Sequence, residues 1–181
     1  MRREQLEHVL RAACSIIDAD TALVIGSQAI LASFADDVLP PAAARSIEVD
    51  LAFFDDLGDE KSDLVDAAIG ELSQFHETFG YYAQGVSVTT AVLPDGWRDR
   101  LVRFATAASA PGAALCLEPH DLAASKLVAY REKDVEFVAA VIAARLIDPD
   151  TLSRRIETLP IDDKKRKVLL DTVAALRRSA E

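Results

Sequence analysis

The 181-residue sequence has only two cysteines, Cys14 and Cys116. That is too few for a disulfide scaffold or a four-thiolate metal centre, and it points to a reducing compartment, the cytoplasm by default. Histidine is equally scarce: His8, His76 and His120 are scattered without the short spacing of a zinc site. With so few of either residue no Ser-His-Asp or Cys-His constellation can be specified, which disfavours hydrolysis by covalent catalysis. No apolar run approaches the roughly 20 residues that span a bilayer, and residues 1–7 read as the start of a charged amphipathic helix rather than a leader peptide. Positive charge is in deficit, with 20 Lys and Arg against 30 Asp and Glu for a net charge of -10. A protein that coats nucleic acid or adheres to anionic membranes is therefore not expected, and no membrane partner is.

Half of the residues are hydrophobic, enough for the core of one ordinary domain. Leu6, Val9, Leu10, Ala13, Ile16 and Ile17 recur at helical spacing over 3–18. The short apolar run 22–25 predicts a strand, stopped by Gly26 and Ser27 and followed by a helix carrying Ile30, Leu31 and Phe34. Beyond a loop with Pro40 and Pro41, the segment 46–53 alternates Ile47, Val49, Leu51 and Phe53 with Glu48 and Asp50, the clearest strand pattern in the chain. Ser62 suits the N-cap of a helix over 62–72. Further strands are expected at 86–92 and 100–106, around a turn at 94–97, and at 113–117. Pro119 suits the first position of a helix, and breaks near Arg131, at Asp148-Pro149 and at Leu159-Pro160 divide a helical remainder. Strands crowd the first two thirds and helices the last third. This predicts an α+β core over 1–118 followed by a helical subdomain over 119–181 that packs on it.

Glu48 and Asp50 lie two apart on a strand, so their carboxylates project from one face while the neighbouring apolar residues anchor the other. Repulsion between like charges so placed is relieved by water, on a solvated face, or by Mg²⁺ or Mn²⁺, which prefer hard oxygen ligands. The Gly26-Ser27 turn admits two readings as well: a plain strand-to-helix turn with Ser27 as N-cap, or a cradle for a phosphate at a helix start. Placed before an acidic strand in the same small sheet, the turn would set an anion cradle beside a cation site, the arrangement that nucleotidyl transfer needs.

These segments, Val24-Ile-Gly-Ser-Gln-Ala-Ile30, Ser46-Ile-Glu-Val-Asp50 and Pro119-His-Asp-Leu-Ala-Ala-Ser-Lys-Leu-Val-Ala-Tyr-Arg-Glu-Lys-Asp134, resemble the nucleotidyltransferase superfamily, in particular its AbiEii-like abortive-infection toxin branch. The resemblance covers about residues 20–145. It implies a mixed β-sheet with flanking helices, and transfer of a nucleotide from an NTP, with Mg²⁺ or Mn²⁺ as cofactor, to an acceptor hydroxyl such as an RNA end. A toxin role with a cognate antitoxin is a further implication. Carried over residue by residue, Gly26 and Ser27 would hold the triphosphate, Glu48 and Asp50 the metal, and Lys126 a phosphate, with Asp50 and Lys126 as the catalytic pair. Arg131 and Lys133 follow in the same motif as further substrate-binding residues, and Asp134 follows with no role assigned. If the helix is continuous, Lys126 and Lys133, seven apart, share a face where two cations could neutralise a triphosphate. Solvation, or pairing with Glu132 and Asp134, is the alternative. The chain departs from the pattern twice: Glu48 stands where Asp is usual, and 86–92 offers only hydroxyls where a third carboxylate is common. If that loss abolishes chemistry, the alternative is a nucleotidyltransferase-fold module that binds a partner or regulates. The long spacing from Ser27 to Glu48 leaves a loop at 35–45 that either gates the site or decorates it.

Residues 154–181 carry eight Lys and Arg against five acids, +3 where the rest of the chain is -13. This end could guide an RNA acceptor by phosphate contacts, or simply form a solvated helix face. Trp97, with Arg98 and Arg100, is either a cap on the core or a base-stacking platform. His120, in the turn before Lys126, is either a helix-end histidine or a neighbour of the pocket.

Overall fold

The computed structural model describes residues 1–180. The chain runs α1 (Arg3–Ile16), β1 (Thr21–Val24), α2 (Pro41–Ala44), β2 (Glu48–Ala52), α3 (Glu60–Ile69), α4 (Gln74–Phe79), β3 (Tyr82–Gly85), β4 (Val102–Phe104) and β5 (Ala113–Cys116). The helices α5 (Pro119–Ala129), α6 (Glu132–Ala143), α7 (Pro149–Glu157) and α8 (Asp163–Ala180) complete it. The strands form a five-stranded mixed sheet in the order β3-β2-β1-β5-β4. β1 pairs antiparallel with β2 and parallel with β5; β3 runs parallel to β2, and β4 antiparallel to β5. The α+β architecture expected from the sequence is the one observed.

Alternation along β2 sets the two faces of the sheet. Val49 and Leu51 are fully buried, and Gly85, the register partner of Leu51, lies so close to α3 that a β-carbon on it would meet the Ser62 carbonyl at 2.2 Å. Helix α3 therefore covers the Val49–Leu51 face, and α1 packs against α3 and the sheet. Glu48 and Asp50, one residue out of phase, turn to the other face. There a 3₁₀ helix, Ser27–Ala32, leaves the end of β1 and contacts β2, β5 and α5.

Several elements differ from the sequence reading. The segment after Gly26 is a six-residue 3₁₀ helix rather than an α-helix, and its cap position is Gly26, not Ser27. Ile47 lies outside β2 and is 48% exposed, so it does not share in the anchoring that Val49, Leu51 and Phe53 provide. The third strand is Tyr82–Gly85 and not 86–92: the Val86 N–H still bonds to Leu51 O, after which Ser87 caps a 3₁₀ turn over Val88–Thr90 and the chain leaves the sheet. The fourth strand is Val102–Phe104 and not 100–106: Arg100 closes a 3₁₀ turn over Trp97–Arg100, where its side chain pairs with Asp121 in α5. Helix α3 begins at Glu60, with the Asp56 carboxylate accepting from the Lys61 and Ser62 N–H groups, so Ser62 is a buried residue of the first turn instead of the cap.

One buried ion cluster ties the helical half to the sheet. Asp121, fully buried near the start of α5, pairs with Arg100 at 2.8 Å and with Arg155 of α7 at 3.1 Å. Among the described residues no helix is long and apolar enough to cross a membrane.

Candidate active site

The site is built where β1 ends. Gly26 has an extended backbone, φ -91°, so its glycine is not required by a left-handed turn. What requires it is Asp50. A β-carbon on Gly26 would fall 1.5 Å from Asp50 Oδ2 and 2.9 Å from Asp50 Cβ, so the acidic strand presses its carboxylate against the bare backbone of the bend. Gly26, Ser27, Glu48, Asp50, Lys126, Arg131 and Lys133 all line one cleft of about 760 Å³.

The carboxylates form the floor. Burial, and then the neighbouring Glu48 charge, push the Asp50 carboxyl up to about 6, while the Lys126 and Lys133 cations pull the other way. Tyr82, the register partner of Glu48 on β3, donates its hydroxyl to Glu48 Oε2 at 3.4 Å. Burial and the Glu48 carboxylate push that phenol up to about 12. Gln84, the partner of Asp50, occupies the place on β3 from which a third carboxylate would face the pair.

The opposite wall is cationic, and its geometry differs from the continuous helix considered above. Helix α5 stops at Tyr130, which takes the left-handed conformation at φ 55°, and α6 restarts from Arg131. Lys126 and Lys133 reach the same cleft from two helices meeting at a corner, not from one face. Asp134 fills that corner: it is fully buried, accepts from Lys126 Nζ at 3.0 Å and from Arg131 Nε at 2.7 Å. Burial alone would raise its pKa, but these hydrogen bonds more than offset that and hold the carboxyl below its ordinary range. The Lys126 ammonium also sits 4.7 Å from the centre of the Phe137 ring. Lys133 makes no ion pair among the described residues.

The remaining walls come from residues that sequence reasoning did not single out. Val86, Ala91 and Val92, from the loop after β3, give an apolar side, together with Leu122 and Val128 of α5. The 35–45 segment is largely exposed and reaches the cleft only through Ala42 and Arg45; Arg45, at the end of α2, pairs at the surface with Glu136 of α6 at 2.9 Å, and Asp36 accepts from the Arg3 N–H of α1. Gln84 had a findable signal, since correct placement of the third strand puts it beside Asp50; Arg45 and Phe137 had none.

Other candidates lie elsewhere. His120 bonds to Glu118 and accepts from the Asp148 N–H, so it joins α5 to α7 and does not line the cleft. Trp97 stacks on Phe54 with ring centroids 6.1 Å apart, and the Arg98 guanidinium lies over both rings. Arg100 is held by Asp121, and none of these lines the cleft either.

Residues 4–174 match the model of a family described as "Nucleotidyltransferase of unknown function (DUF6036)". The chain belongs to this family. Comparison with curated proteins and with solved structures gives no match. For a nucleotidyltransferase-family protein, the chemistry of the donor set fits a divalent cation: two hard carboxylates side by side, the inner one raised to about 6 by burial and its acidic neighbour, a penalty that a bound cation would relieve. No cluster of three or more His, Cys, Asp or Glu able to hold a metal occurs among the described residues. Glu48 and Asp50 would therefore supply only part of the coordination sphere and leave the rest to phosphate oxygens and water, as is usual for Mg²⁺.

Proposed function

We propose that this protein transfers a nucleotide from an NTP to an acceptor hydroxyl with Mg²⁺ or Mn²⁺ held by Glu48 and Asp50. The observation that carries this reading is the contact between Gly26 and Asp50 inside a cleft whose far wall is cationic. A divalent ion, when bound, would offset the carboxylate charge and that of the triphosphate. The chain's own groups supply the rest. The missing side chain of Gly26 makes room for the Asp50 carboxylate at the bend, Ser27 lines the cleft beside it, Lys126 and Lys133 draw the triphosphate to the opposite wall, and Arg131 stands at the rim. The apolar side formed by Val86, Ala91 and Val92 suits the base.

In the reaction the acceptor oxygen bonds to the α-phosphorus, the bond from that phosphorus to the bridging oxygen breaks, and pyrophosphate leaves with its growing charge offset by the two lysines. The hydroxyl proton would pass to solvent, since Asp134 is engaged with Lys126 and Arg131, and Glu48 and Asp50 would be the residues that hold the ion. An RNA end as acceptor, a toxin role and a cognate antitoxin are supported by the AbiEii-like resemblance.

A second reading is favoured by Gln84: with an amide where a third carboxylate would face Asp50, the fold would bind nucleotide and partner without chemistry. Calorimetry tests the first reading. NTP should bind in the presence of Mg²⁺ and lose that affinity in Asp50→Ala; absence of binding by the wild type would sink it. Labelled NTPs incubated with total RNA separate the two, since incorporation is incompatible with a passive module.

A further inference from the structure

Lys126 shares its cleft with two carboxylates that form no ion pair with a cation among the described residues. Its charge is felt at Asp50, yet it makes no ion pair with Asp50 or Glu48 among the described residues. Its side chain is only 12% exposed, so water does little to damp the attraction. Left to itself, a flexible four-carbon ammonium in such a place would fold onto the acidic pair. It is instead tied down at 3.0 Å by Asp134 Oδ1, over the Phe137 ring. The other oxygen of Asp134 is taken by Arg131, which fixes the carboxylate itself, and Arg131 needs no restraint because 64% of its side chain is in solvent.

We propose that Asp134 is a positioning residue that holds Lys126 off the Glu48–Asp50 pair and so reserves the pair for a divalent cation. This rests on the metal-dependent transferase reading above and adds a division of labour to it: one buried carboxylate keeps the cationic and acidic walls apart until a bridging ligand arrives. Loss of Asp134 would make Lys126 an internal competitor for the metal site. Loss of Lys126 as well would remove the competitor.

The test is Mn²⁺ titration by calorimetry, without nucleotide, on the full chain, with melting curves as a check on folding. Asp134→Asn should weaken Mn²⁺ binding by about tenfold or more, the scale on which a close opposite charge alters a carboxylate. Lys126→Met should bind Mn²⁺ within about twofold of wild type, and the double variant should recover to the same level. An Asp134→Asn variant that binds like wild type, or a double variant no better than Asp134→Asn, would overturn the proposal. If Asp134→Asn does not fold, Lys126→Met decides alone: Mn²⁺ binding about tenfold tighter than wild type would mean that Lys126 already sits on the pair. Failure of the wild type to bind Mn²⁺ would instead remove the metal reading, and this proposal with it.

Discussion

Gly26 and Asp50 occupy space that only one of them can fill: the missing side chain of the glycine is where the aspartate carboxylate lies, 1.5 Å from a β-carbon position. Because the glycine backbone is extended, the substitution cost comes from this collision alone. Gly26→Ala should fold with a loss of about 1–3 kcal/mol in thermal or urea melts, the usual range for overpacking. NTP affinity with Mg²⁺ should fall far more than stability does. A variant that binds NTP like wild type would show that the contact has no part in ligand binding.

The raised Asp50 pKa makes stability and metal affinity respond to pH in opposite directions. In the folded protein its carboxyl titrates at about 6, above the ordinary 3.8. As pH rises from about 4 to about 6 the unfolded chain therefore gives up its proton before the folded one does. Stability of the metal-free protein should fall across this window and level off above it. Asp50→Asn removes the effect, so its unfolding free energy from urea melts should gain on that of the wild type between pH 4 and pH 7, by about 1–2 kcal/mol once solvent at the cleft mouth is allowed for. Mn²⁺ affinity of the wild type, which needs the ionised form, should climb to about pH 6 and then level off.

Gln84 offers a gain-of-function test. An acid at this register position would face Asp50 directly. Gln84→Asp should strengthen Mn²⁺ binding by about tenfold, as a third hard ligand joins two. If the lack of a third carboxylate limits the chemistry, the same variant should incorporate label from NTPs into RNA faster than wild type.

Asp121 lies outside the cleft and should separate stability from binding. Replacing it with Asn leaves Arg100 and Arg155 facing a neutral group in a buried corner. The expected cost is about 3 kcal/mol by urea unfolding, at the low end for breaking a buried pair because both arginines keep some solvent. NTP affinity of the folded fraction should stay within a few fold of wild type.

The sequence made β2 legible because period-2 alternation survives in Glu48–Ala52, where one face is buried and the other lines a cleft. It misplaced β3 because 86–92 imitates that alternation while lying in a loop, whereas Tyr82–Gly85 is short and its pairing to β2 leaves no pattern in its own residues. The bend at Gly26 was readable, but its reason was not: a turn signal was visible, while the approach of Asp50 is a contact across 24 positions of sequence. Lys126 and Lys133 were placed together by a heptad argument that assumes one helix. They do share the cleft, but through a corner at Tyr130, a left-handed residue that nothing in its side chain announces. Asp134 was visible as part of a motif, but its grip on two cations depends on that corner.

The corner at Tyr130 also acts as a ruler. Helical residues are separated by about 100° around the axis, so inserting or deleting one residue in α5 after Lys126, or in the first turn of α6, would swing Asp134 out of reach of its lysine while leaving both helices intact. Chain length across this short stretch is consequently under tighter geometric control than most of the side chains along it. Homologous chains that keep the arrangement should hardly vary in the number of residues between the two, even where exposed positions such as Tyr130 and Glu132 change.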